Sequence, residues 1–252
     1  ITIAASTQGD ADTIDGYGGT DVLQLSAGTH TFTTNDNMLK NVEQVKVDTT
    51  SGSTVDLTNQ TEGFTITVAG QTDSITGSDG NDIITILSAG HGNNDTLIGG
   101  AGADAINLSA GSHTFSNDAK LATIETINAN SSSTTLDLTG QLEAFTVAGG
   151  AQADNLTGGS GNDIITGGGG NDTLKGGAGN DTLKVDSGSD IITLLGGAGA
   201  GGESDVLVVS NGAIATAEDI KNFVATTGTT NAGQAILSAV SGGGTINMDQ
   251  AT

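Results

Sequence analysis

GGAQADNLT GGSGNDIIT GGGGNDTLK GGAGNDTLK VDSGSDIIT runs without a gap from Gly149 to Thr193, and its reading decides the fold. The period is nine residues, with Asp at position 6 and Ile or Leu at position 8 of every copy. Positions 7 to 9 read as a three-residue strand with the position 8 side chain turned inward. The glycine-rich first half reads as a turn, because glycine enters the left-handed region without steric cost. Two nonapeptides then make one coil of 18 residues, with a strand and a turn on each side. Coils stack as β-strands do, about 4.8 Å apart. Residues 18 apart therefore lie one above the other: Asp154 on Asp172, Asp163 on Asp181, Asp172 on Asp190.

Further copies surround this block: 7–15, 16–24, 68–76, 77–85, 90–98, 99–107 and a degenerate 200–208. In the twelve copies together, position 8 is Ile14, Leu23, Ile75, Ile84, Leu97, Ile106, Leu156, Ile165, Leu174, Leu183, Ile192 and Leu207. The fold class expected is all-β: a parallel β-roll or β-solenoid with β-rich intervening segments.

Composition narrows the possibilities. The 252 residues include 41 Gly, no Pro, no Trp, one Tyr and five Phe. An ordinary globular core of this size buries many more aromatics. Few aromatics with a net charge of −23 would suggest disorder, were it not for the periodic Ile and Leu. Something besides the core must help the chain fold. With 29 acids against six Lys and no Arg, nucleic acid is not an expected partner, and an anionic membrane surface would repel the chain. No apolar stretch reaches the roughly 18 residues of a membrane-spanning helix, so no membrane insertion is expected. Cysteine is absent, which excludes disulfides. The chain begins at Ile1 rather than Met, as a mature product or an excised piece would.

The nonapeptide groups alternate with Thr-rich segments that repeat each other. LSAGTHTF (25–32) recurs as LSAGSHTF (108–115), LKNVEQVKV (39–47) as LATIETINA (121–129), VDLT (55–58) as LDLT (136–139) and EGFT (62–65) as EAFT (143–146). The organisation expected is a first coil at 1–24, an intervening segment at 25–67, a second nonapeptide group at 68–107, the duplicated segment at 108–148, the main roll at 149–208 and a diverged third segment at 209–252. Strands are predicted at 45–47, 55–58 and 64–68, and short helical turns at 36–42, 118–124 and 217–223.

The stacked aspartates call for a cation. Two carboxylates about 4.8 Å apart repel by roughly 3 kcal/mol at an effective dielectric near 20. Calcium reverses that sign, taking six to eight hard oxygen ligands in a flexible geometry that carboxylates and turn carbonyls supply. Magnesium demands a tighter octahedron, and zinc wants Cys or His, of which the repeats offer only His91. The candidate ligands are Asp12, Asp21, Asp73, Asp82, Asp95, Asp104, Asp154, Asp163, Asp172, Asp181, Asp190 and Asp205. The turn glycines Gly80, Gly102, Gly159, Gly161, Gly168, Gly170, Gly177 and Gly179 join them. Several Ca2+ ions are expected. In the second group the partners stand 22 apart, Asp73 to Asp95 and Asp82 to Asp104, so Ile86–Ala89 must bulge or lengthen a strand. Asp181 and Asp205, 24 apart, are the weakest pairing, and Asp12 and Asp21 have no stacked partner in the neighbouring sequence. The alternative reading of such an Asp beside Gly is a metal-free Asx turn.

These nonapeptides resemble those of the RTX family of secreted bacterial proteins. The resemblance covers 7–24, 68–107 and 149–208 and implies a parallel β-roll folded by calcium after type I export. The intervening segments are similar to those of RTX-type surface-layer proteins and adhesins, on the phrases Val42-Glu43-Gln44-Val45 and Ile124-Glu125-Thr126-Ile127.

The function expected is a calcium-dependent extracellular structural protein of a surface layer or matrix, folding and self-associating as calcium binds. The alternative is a calcium-binding module of a larger secreted adhesin, toxin or enzyme. Catalysis is not expected: the three His form no H-E-x-x-H or triad spacing. His30 and His113 occupy equivalent places and read as structural; the duplicated Glu43 and Glu125 read as edge or capping residues, with calcium ligation the lesser possibility. Ice binding would use a row of Thr at position 3, where 79, 92, 160, 169 and 178 hold Asp, Gly, Ser, Gly and Ala.

Overall fold

A computed structural model of the chain describes residues 13–34, 36–47, 52–70, 72–90, 94–129, 132–193 and 205–220. It adds the backbone of short strands at 2–3, 7–8, 222–224, 230–231, 234–239 and 245–247. Two compact units emerge, one of 1–109 with 117–126, the other of 110–116 with 127–252. Each is a parallel β-solenoid.

In the first unit the chain winds between two parallel faces. One carries Val22–Leu25, Gln44–Val47, Thr65–Val68, Ile83–Ile86 and Ala105–Asn107 in that order. The other carries Thr29–Thr31, Thr54–Asp56, Ser74–Thr76, Thr96–Ile98 and Leu121–Ala122. Register places Leu23 beside Val45, Val45 beside Ile66, Ile66 beside Ile84 and Ile84 beside Ile106. The intervening segment is thus coiled into the same solenoid as the nonapeptides on either side of it. A segment of 25–67 without the nine-residue period still coils because its apolar residues keep a strand period of two: Val45 and Val47, Phe64 and Ile66 are all buried.

The second unit repeats the arrangement. Thr146–Ala148, Ile164–Thr166, Thr182–Val185 and Val206–Val209 line one face. Gly111–Thr114, Thr134–Asp137, Asn155–Thr157, Thr173–Lys175, Ser189–Thr193 and Ile214–Ile220 line the other. Leu156 pairs with Leu174 and Leu174 with Ile192, the 18-residue step expected of two nonapeptides per coil.

All twelve position-8 side chains are buried, the most exposed being Ile14 at 9 %. Burying each contributes about 1.5–3 kcal/mol. His30 and His113 each point inward in their own unit, His30 beside Val55 and His113 beside Leu136, and both are buried. His30 sets its Nε2 2.8 Å from the carbonyl of Ser26. Gln60 and Gln141, duplicated like the histidines, are also buried; their Nε2 groups donate to the carbonyls of Phe32 (2.7 Å) and Phe115 (2.6 Å), tying one coil to another.

The helical expectations fare unevenly. A 3-10 turn does form at Asp118–Lys120, capped by Asn117 accepting from the N–H of Ala119. At 36–42 there is a turn followed by the strand Leu39–Lys40. At 217–223 the expectation is corrected: Ile214–Ile220 is a strand. Ala213, Ala215 and Ala217 are all buried, and this period of two overrides the capping signal.

Candidate metal centre

The position-6 aspartates 73, 82, 95, 104, 154, 163, 172, 181, 190 and 205 stand where a turn enters its strand, and a hydrogen bond links each of them to the coil before it. In the second unit the N–H of Asp154 donates to Oδ1 of Asp172 (2.9 Å), and that of Asp172 to Oδ1 of Asp190 (2.8 Å). On the opposite edge the N–H of Asp163 donates to Asp181 (2.8 Å), and that of Asp181 to Asp205 (2.9 Å). The pairing across 24 residues therefore has the same geometry as the regular ones. In the first unit Asp73 donates to Asp95 (2.9 Å) and Asp82 to Asp104 (2.7 Å). The extra residues at 86–89 lengthen Ile83–Ile86 by one residue and leave these pairings in register. Each ladder ends on a non-acid: Ser53 donates to Asp73, Phe64 to Asp82, Thr134 to Asp154 and Phe145 to Asp163.

Ten of the candidate aspartates (73, 82, 95, 104, 154, 163, 172, 181, 190 and 205) are at most 4 % exposed. Asp21 is half-buried, and Asp12 lies outside the described residues. Asp21 requires a correction. It does have a stacked partner, because its N–H donates to Oε2 of Glu43 at 2.7 Å. Asp104 makes the same bond to Glu125, also 2.7 Å. A search for Asp at fixed spacing misses these pairs; the duplicated Glu of the hydrophobic-Glu-x-hydrophobic phrase is the signal that marks them.

The second carboxylate oxygen divides the aspartates. In Asp82, Asp154 and Asp163, Oδ2 accepts an N–H from its own turn, from Ser78, Gly150 and Gly159 at 2.6–2.8 Å. In Asp21, Asp104, Asp172 and Asp190, Oδ2 is buried without a hydrogen-bond partner. Burial pushes the carboxyls of Asp82, Asp163 and Asp190 above the ordinary value of 3.8, and those of Asp104 and Asp172 up to about 6. Neighbouring carboxylates add to the rise at Asp104 and Asp172. A buried carboxylate oxygen with no donor is a costly group, and a cation is the partner that offsets it.

The turn glycines form the rest of the cradle. Gly102, Gly168, Gly170, Gly177 and Gly179 have φ between 88° and 116°, in the left-handed region. Gly80, Gly159 and Gly161 do not; they are glycine because a Cβ there would strike the backbone of the preceding coil, at Gly63, Gln141 and Glu143 respectively. At position 1 of a repeat, a Cβ on Gly77 or Gly158 would meet both the Asp Oδ2 of its own turn and the carbonyl of Gly99 or Gly176 in the next coil. At these two turns a carboxylate oxygen and a backbone carbonyl of the next coil bound a space too small for a methyl group.

Among the described residues no three His, Cys, Asp or Glu side chains converge on one point. The acidic donors come as stacked pairs, with carbonyls completing the oxygen set. That donor set fits calcium, which accepts backbone carbonyls and carboxylates alike, and does not fit zinc. Asn81, Asn162 and Asn171 each accept through Oδ1 an N–H of the next coil, from Ala103, Asn180 and Ser189 at 2.7–2.9 Å.

A model of the RTX calcium-binding nonapeptide repeat, in four copies, matches the chain at 6–29, 65–85, 89–112, 146–174 and 166–200. No curated protein and no solved structure matches it. No described helix is long and apolar enough to cross a membrane. With the nine-residue period, the parallel coils and the stacked aspartates in agreement, the chain carries the RTX calcium-binding nonapeptide repeat.

Proposed function

We propose that this calcium-binding solenoid is a structural protein of a bacterial surface layer or extracellular matrix, exported by a type I system and folding outside the cell as calcium binds. The observation that carries the reading is the continuity of the coils through the intervening segment: Leu23, Val45, Ile66, Ile84 and Ile106 form one inward column. A duplicated unit that coils in the same way can be extended by addition, which is how solenoids make long rigid elements. The chain's charge of −23 supports folding after export, since stacked acids oppose coiling wherever calcium is scarce. Extracellular calcium modules bind with Kd of about 10⁻⁴–10⁻³ M, matched to millimolar calcium outside the cell. No catalytic role is proposed: the buried histidines fill core positions otherwise held by aliphatic residues.

Sedimentation and electron microscopy of the chain with and without millimolar calcium test this reading. It predicts ordered assemblies in calcium that disperse on chelation. A monomer that folds in calcium yet never assembles would favour the alternative, an accessory module of a larger secreted adhesin, toxin or enzyme.

A further inference from the structure

Glu43 and Glu125 lie outside every stretch that matches the nonapeptide repeat, yet they stand in its ladder. Register puts Glu43 opposite Asp21, since Val22 pairs with Gln44. The N–H of Thr126 donates to the carbonyl of Asp104, which puts Glu125 opposite Asp104. In each pair the Glu Oε2 accepts the aspartate N–H at 2.7 Å, the bond that an Asp Oδ1 accepts elsewhere.

The turn that delivers the Glu is built differently. In a nonapeptide, position 1 precedes the Asp by five residues, as Gly77 precedes Asp82. In the intervening segments the corresponding carbonyls belong to Asn41 and Thr123, only two residues before the Glu. A Cβ on Gly16 would meet the Asn41 carbonyl and the Asp21 carboxyl; one on Gly99 would meet the Thr123 carbonyl and the Asp104 Oδ2. These are the cradles found between ordinary nonapeptides. Asn41 and Thr123 also share a left-handed backbone, with φ of 50° and 51°. The turn is shorter by three residues, and the longer side chain of Glu reaches the same N–H.

Asp104 is 1 % exposed, and its Oδ2, like that of Asp21, is buried with no hydrogen-bond partner. Glu125 and Glu43 are exposed, so water is free to complete a coordination shell from that side. We propose that Glu125 and Glu43 are metal ligands, each closing a mixed Asp–Glu calcium site where a nonapeptide group meets an intervening segment. The first site joins Asp104, Glu125 and the Thr123 carbonyl; the second joins Asp21, Glu43 and the Asn41 carbonyl. The intervening segments then take part in calcium binding themselves.

The inference rests on the calcium reading of the repeats, and Tyr17 separates the two. It is the one tyrosine in a chain without tryptophan, and it directly follows Gly16 of the second cradle. Terbium, a luminescent stand-in for calcium, is titrated into the full chain and excited through tyrosine. Sensitised emission is expected from the wild type, and Glu43→Gln, which keeps an acceptor for the Asp21 N–H, should raise its midpoint about tenfold or more. Native mass spectrometry at fixed free calcium should find one ion fewer on Glu125→Gln. Calcium uptake and β-structure gain by the wild type without tyrosine-sensitised emission would overturn the inference while leaving the repeats' calcium binding intact. So would folded variants with unchanged midpoint and ion count. A wild type that takes up no calcium sinks both readings. If the Gln variants do not fold, the wild-type emission decides.

Discussion

An aspartate in this ladder does two jobs with two oxygens. At Asp172, Oδ1 holds the N–H of Asp154 while Oδ2 is left for a cation. Asp172→Asn keeps the first and removes the charge from the second. The calcium concentration needed for half-folding should then rise several-fold, read by circular dichroism, with the fold at saturating calcium retained. Glycine positions carry a different constraint. Gly177 has φ of 112°, and a Cβ there would run into the carbonyl of Gly159. Gly177→Ala should cost about 1–3 kcal/mol in saturating calcium, measured by denaturant unfolding.

Protonation at the residue scale has a definite sign. Asp104 and Asp172 titrate near 6 in the calcium-free fold, above the ordinary value of 3.8. The folded state therefore holds more protons than the unfolded one between about pH 4 and 6. Their contribution to the stability of the calcium-free chain is fully present below about pH 4 and lost as pH rises through about 6. In calcium-free buffer, acidification from pH 7 to 4 should increase β structure by circular dichroism; a decrease would show that other groups dominate.

At the scale of the element, what the sequence discloses depends on which interaction shapes each segment. The nonapeptide strands were legible because one inward side chain and one carboxylate recur at fixed spacing, so local pattern and tertiary position coincide. Leu174 shows the coincidence, fully buried between Leu156 and Ile192. Leu174→Ala should lower stability by about 2–5 kcal/mol. The strand at Ile214–Ile220 was not legible, because alanines carry too little hydrophobic contrast to outweigh a capping signal. Glu43 and Glu125 were visible as a duplicated pair, but their place in the ladder follows from register across a shortened turn, which no fixed spacing reveals. Gln141 is a similar case. Its Nε2 donates to the Phe115 carbonyl across 26 residues, a bond fixed by coil stacking alone. Gln141→Leu should cost about 1–3 kcal/mol by leaving that buried carbonyl unpaired, read as a lower thermal midpoint in calcium.

At the scale of the whole molecule, opposing terms of similar kind set the balance. Burial of the inward columns favours coiling, while glycine entropy and stacked buried carboxylates oppose it. A cation between coils removes the carboxylate penalty and adds ligand bonds, so metal binding and folding become one equilibrium. The central claim is that this chain is a solenoid only when calcium is bound at neutral pH. The most direct test is a calcium titration followed by far-ultraviolet circular dichroism, begun in chelator at pH 7. The account predicts a disordered spectrum in chelator and a cooperative gain of β structure as free calcium reaches the millimolar range, reversed by renewed chelation. A β spectrum that persists unchanged in excess chelator would contradict it.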